Sequence, residues 1–172
     1  MITVVCAALG LGACGGGEGG GVAGGSGASA ESMNIAGSWE AVFPEKADDA
    51  GTHQGKGKVT FNGSSYSYSW YKKLVGKDGQ TVYDWTEQAR EDGSTSLAPD
   101  VMQWTAESFG EADYNEATRS WGKIDMKSSK NGYNIAYKLD GEKLTLQEDI
   151  NLDGDYDDVF DSSETMTYTK VN

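Results

Sequence analysis

From residue 32 onward the chain is written in short runs of period two, broken by glycine-containing turns, and this alternation limits the fold more than any other feature. Lys56–Asn62 puts Val59 and Phe61 on one side and Lys58, Thr60 and Asn62 on the other. Ser64–Leu74 groups Tyr66, Tyr68 and Trp70 opposite Ser65, Ser67 and Ser69. Successive side chains of a strand point to opposite faces, so such runs form half-buried strands. Between these two runs stands Asn62-Gly63, a tight hairpin signal because both residues tolerate positive φ. Asp78-Gly79, Asn131-Gly132 and Asp140-Gly141 repeat the signal.

Further alternating runs are expected at Asn34–Phe43, Gln80–Trp85, Trp121–Lys127, Tyr133–Leu139, Lys143–Ile150 and Glu164–Val171. The centre admits other readings. Asp84 followed by Glu87 and a polar run to Gly93 fits a short capped helix. Pro99–Phe109 fits a helix or a strand. Roughly eight strands at short spacing predict an all-β antiparallel domain, a barrel or a sandwich. An up-and-down barrel is the expected form, because closure removes the exposed edges that aggregate. A chain of 172 residues suits one such domain, expected over 32–172.

The residues before it read as an address. Residues 1–13 are apolar or small and carry no charge, as in a secretory signal. Leu11-Gly12-Ala13-Cys14 has the form of a bacterial lipobox, in which the Cys14 thiol takes a diacylglycerol group and becomes the new N-terminus. Only a nucleophilic sulfur makes that thioether. The other reading is an ordinary N-terminal strand with an incidental Cys. Residues 15–30 contain nine glycines in sixteen positions, so 14–31 is expected to be a lipidated Cys on a flexible tether with a reach of about 20 Å. With Cys6 removed and Cys14 acylated, the domain has neither thiol nor disulfide. A multiply acylated N-terminus anchors stably to a membrane.

Charge and residue inventory exclude several functions. With 27 acidic and 14 basic residues the net charge is −13, which repels nucleic acid and anionic lipid surfaces. No run of about 18 apolar residues exists, so no helix is expected to span a membrane. His53 is the single histidine, in a polar stretch, and reads as a surface residue rather than a base. There is no G-x-S-x-G elbow, phosphate loop, H-E-x-x-H or zinc-ligand cluster, and the expectation is a protein that binds rather than catalyses.

Glu148–Glu164 holds eight acidic residues and no basic one. Within it, Asp149, Asn151, Asp153, Asp155 and Asp157 follow the D-x-N-x-D-G-x-x-D spacing of calcium loops. Calcium takes six to eight hard oxygens, and alternate residues of a turning loop aim theirs inward. Asp149, Asn151 and Asp153 would give side chains, Asp155 its carbonyl, and Asp157 a carboxylate. The twelfth position is Phe160 rather than the usual bidentate Glu, so Asp158 or Asp161 would have to serve. The alternative is a solvated acidic hairpin loop.

Gly37-Ser38-Trp39 resembles the G-x-W element of lipocalin-like (calycin-type) barrels. Tyr133–Leu146 (YNIAYKLDGEKLTL) and Met166–Val171 (MTYTKV) resemble the last strands of bacterial lipocalin-like lipoproteins. The resemblance implies a lipid-anchored protein of the bacterial cell envelope, on its periplasmic or cell-surface side, with Trp39 closing the barrel base. It further implies a monomer that holds a small apolar or amphipathic ligand. Phe61, Tyr68, Trp70 and Trp104 are the expected lining. The alternative is a surface interaction module, its barrel filled and its loop stabilised by calcium, that meets a protein or glycan.

Overall fold

In the computed structural model, described here for residues 35–115, 117–148 and 165–171, eight antiparallel strands close into a barrel. They are β1 (Gly37–Val42), β2 (Gly51–Asn62), β3 (Ser65–Gly76), β4 (Thr81–Leu97), β5 (Val101–Glu111), β6 (Gly132–Asp140), β7 (Lys143–Glu148) and β8 (Thr165–Val171). Each pairs with the next in sequence. β1 completes the ring by pairing with β2 and β8 at once, Trp39 lying opposite Val59 on one side and Lys170 on the other. This is the up-and-down meander expected from the alternation. No helix occurs among the described residues.

The turns follow glycine chemistry at three of the four expected places. Gly63, Gly79 and Gly141 have φ of 62°, 76° and 59°. Asn131-Gly132 is a correction. The chain there does not reverse but runs on beside β5, Ser129 donating its N–H to Glu107 and Asn131 accepting from Ala106. The expected strand Trp121–Lys127 accordingly shrinks to two short bridges, Ser120–Trp121 pairing with Tyr114–Asn115, and Lys127–Ser128 pairing with β5.

The short helix expected near Asp84–Gly93 is also a correction. The segment lies within β4, a strand of 17 residues. Pairing on both sides, with β3 and β5, supplies its backbone with partners, and that outweighs a local capping signal. Both seams carry irregularities. Trp70 pairs with Ala89 and Tyr71 with Glu87, so Gln88 is an extra residue in β4. On the other seam Asp92 pairs with Ser108 and Gly93 with Ala106. A Cβ on Gly93 would stand 2.1 Å from the Thr105 carbonyl oxygen, so only glycine lets the two backbones approach there.

Inward positions make one core. Trp39, Phe61, Met102, Ile135, Leu144 and Tyr168 are essentially sealed from solvent. Eight strands leave an interior that side chains nearly fill, and aromatic rings take up much of this one. Trp104 packs against Tyr66 at 4.2 Å between ring centroids, Phe61 at 5.9 Å, Tyr133 at 6.0 Å and Tyr68 at 6.5 Å. Glycines on β2 make the room. A Cβ on Gly55 would fall 2.6 Å from Trp70 Cζ2, so that ring lies directly on the β2 backbone. The same test at Gly57 meets the Tyr68 and Tyr168 hydroxyls at 3.2 and 3.1 Å.

The register assigns the two ends. The β2–β3, β4–β5 and β6–β7 turns lie at the base with Trp39, whose indole N–H donates to the Ile35 carbonyl at 2.7 Å. The longer connections β1–β2 and β5–β6, with the β3–β4 turn, lie at the other end, the mouth.

Candidate functional site

Three of the four expected ligand-lining residues come together and one does not. Phe61, Tyr68 and Trp104 are buried and share the aromatic cluster centred on Trp104. Trp70 stands apart, half-buried, packed on Phe43 at 4.9 Å toward the mouth. Cys14 and the acidic residues Asp149, Asn151, Asp153, Asp155 and Asp157 lie outside the described residues. Among those described, no group of three or more His, Cys, Asp and Glu could hold a metal. His53 sits at the mouth with Nε2 3.0 Å from the Asp48 carboxylate.

The centre of chemical interest is one that sequence reasoning missed. Glu91 faces into the barrel and is only 6% exposed. Its Oε1 accepts a hydrogen bond from the Tyr66 hydroxyl at 2.5 Å and another from the Tyr133 hydroxyl. Three strands supply the group: β3, β4 and β6. Tyr66 and Tyr133 also flank Trp104, so the carboxyl sits beside an aromatic wall. Among the described residues, no Lys, Arg or His forms an ion pair with Glu91.

Both phenols are held far above the ordinary tyrosine range. For Tyr66 burial is the larger cause, followed by its hydrogen bond to Glu91 and that group's charge. For Tyr133 burial again leads, followed by the charge of Glu91 and the neighbouring Tyr66. A carboxylate next to a phenol opposes a second negative charge. Both hydroxyls therefore act as fixed donors near neutral pH. Among the described residues three buried side-chain polar atoms have no partner, the Thr95 hydroxyl, Gln88 Nε2 and Trp121 Nε1; Thr95 stands opposite Trp104 in the β4–β5 register.

The arrangement offers hydrogen-bond acceptors, donors and π faces. The signal that could have found it was the parity of β4. A strand through this segment, in phase with inward Gly93, Thr95 and Leu97, puts Glu91 inside. The helix reading hid that phase. An open groove of about 450 Å³ lies near the β2–β3 turn, lined by Thr60, Asn62, Ser65, Ser67, Asp92 and Glu107 together with Tyr66 and Gly93. It borders the Glu91 centre through Tyr66, and none of the four expected lining residues touches it.

No protein-family model matches the chain, and no curated protein matches it.

Proposed function

We propose that this protein binds a small apolar or amphipathic ligand inside the barrel, in the manner of a lipocalin-like lipoprotein, held on the periplasmic or cell-surface side of a bacterial membrane by lipid on Cys14. The observation that carries the reading is the Glu91–Tyr66–Tyr133 centre. A buried carboxyl is expensive to keep, and well-packed apolar side chains in its place are often as stable or more so. Its presence among the aromatic rings around Trp104 supports a role in holding something. The aromatic lining and the half-buried Trp70 and Phe43 near the mouth suit the apolar part of such a ligand. The lipobox-like Leu11–Cys14 and the glycine-rich stretch after it support the anchor.

The test is uptake of the neutral fluorophore N-phenyl-1-naphthylamine by the purified protein. The expected result is saturable enhancement and blue shift of its emission, quenching of tryptophan emission, and weakening on substitution of Trp104. Absence of saturable uptake overturns the reading. The anchor is read separately by fractionation: the wild type is expected with membranes and Cys14→Ala in the soluble fraction, and a Cys14→Ala protein that stays with membranes overturns it.

The second reading, a filled barrel acting through its surface, draws on the rings packed directly on Gly55 and Gly57. It includes calcium held by Asp149, Asn151, Asp153, Asp155 and Asp157. A cation bound only by the native state raises the melting temperature. Melting is therefore expected to be lower in chelator than in millimolar calcium, and equal midpoints overturn the calcium site.

A further inference from the structure

We propose that the part of the ligand reaching Glu91 is a cation, the protonated amine of a small amphipathic molecule; this rests on the ligand-binding reading above. Lys56 Nζ lies over the rings of Tyr71 and Trp85, at 5.0 and 5.3 Å from their centroids. Lys170 Nζ lies 5.2 Å over Trp39. These π faces are each served by a cation from the chain itself. Trp104, the ring with the most aromatic neighbours among the described residues, has no such lysine or arginine over it, and two of the tyrosines packed on it hold the Glu91 carboxyl.

The chemistry of that centre is selective in sign. The Tyr66 and Tyr133 hydroxyls both donate to Oε1 of Glu91, so neither of them engages Oε2. An ammonium group brings N–H donors for a carboxylate and a positive charge for the aromatic rings around it, and cation–π attraction strengthens when the pair is out of water. It also supplies the counter-charge that no described side chain gives Glu91. A carboxylate or phosphate ligand would meet a like charge in a low-dielectric interior, which disfavours it strongly. The net charge of −13 draws cations toward the protein in the same sense.

The test uses three probes of nearly equal shape: 2-phenylethylammonium, 2-phenylethanol and phenylacetate, titrated calorimetrically into the purified protein at neutral pH. The wild type is expected to bind the amine at least about tenfold more tightly than the alcohol, with phenylacetate weakest, as one charge-assisted hydrogen bond and cation–π contact warrant. Glu91→Gln is expected to abolish the preference, the amine falling to the affinity of the alcohol. Tyr133→Phe, which keeps the carboxylate, is expected to retain it. Equal binding of amine and alcohol by the wild type overturns the cation site, and intact fluorophore uptake in the same preparation then leaves the ligand-binding reading standing. Loss of fluorophore uptake in the wild type overturns both. Should Glu91→Gln fail to fold, the wild-type series and Tyr133→Phe decide the question. A Glu91→Gln protein that folds and keeps the preference overturns the assignment to Glu91.

Discussion

Alanine in place of Trp39 is expected to destabilise the barrel by about 3–5 kcal/mol, the range for removing a large buried aromatic. The side chain is 0% exposed and sits on the strand that closes the ring. β1 is only six residues long yet pairs with both β2 and β8, so Trp39 fills space at the strand where the two seams meet. Truncation removes the ring that Lys170 covers, and it leaves the Ile35 carbonyl without its indole donor. Urea unfolding followed by circular dichroism measures the loss. Trp39→Phe separates the two contributions: it keeps most of the apolar volume and loses the hydrogen bond, so its cost is expected to be smaller. A cost below about 1 kcal/mol for Trp39→Ala would mean that the base is closed by something else.

Stability is expected to fall steeply in alkali, by up to about 1.4 kcal/mol per pH unit for each of Tyr66 and Tyr133 above pH 10. In the unfolded chain these phenols ionise near 10, whereas in the barrel burial and Glu91 keep them protonated well beyond it. Above pH 10 the native state therefore holds more protons than the unfolded state, and stability declines as pH rises. The contribution is intact below pH 10 and is lost progressively above it. Denaturant midpoints between about pH 9 and about pH 11 read the slope. Tyr66→Phe or Tyr133→Phe is expected to remove one phenol's share of it. Near-ultraviolet tyrosinate absorbance is expected to show these two side chains ionising only as the barrel unfolds. A midpoint independent of pH over that interval, or early ionisation of both groups, would show that the Glu91 centre is not sealed.

Much of the architecture was readable residue by residue. Val59 with Phe61, and Tyr66 with Tyr68, announced inward faces, and the aromatic stripe is indeed core. Asn62-Gly63, Asp78-Gly79 and Asp140-Gly141 announced hairpins, and their glycines take the positive φ that such turns require. Asn131-Gly132 carried the same letters and made no turn, because β5 offered its neighbours hydrogen bonds along an extended path. Of the candidate site, Trp104, Phe61 and Tyr68 were legible as buried aromatics. Glu91 and its two phenol partners were not legible as a unit.

Alternation is a local property, set by the two-residue repeat of an extended backbone, so the sequence by itself determined most of the strands, most of their turns and the all-β barrel they could close into. The position of Glu91 is not local. Glu87 faces outward, where it takes the Ser69 hydroxyl at 2.7 Å and pairs with Arg90, and strict alternation from there would put residue 91 outward as well. The extra residue at Gln88 shifts the phase of β4 by one and turns Glu91 into the barrel. Its partners arrive from 25 and 42 residues away in the chain. Only the closed sheet brings them to one carboxyl, because a bulge is fixed by the pairing of strands and a buried charge is tolerated only where distant donors have been gathered around it.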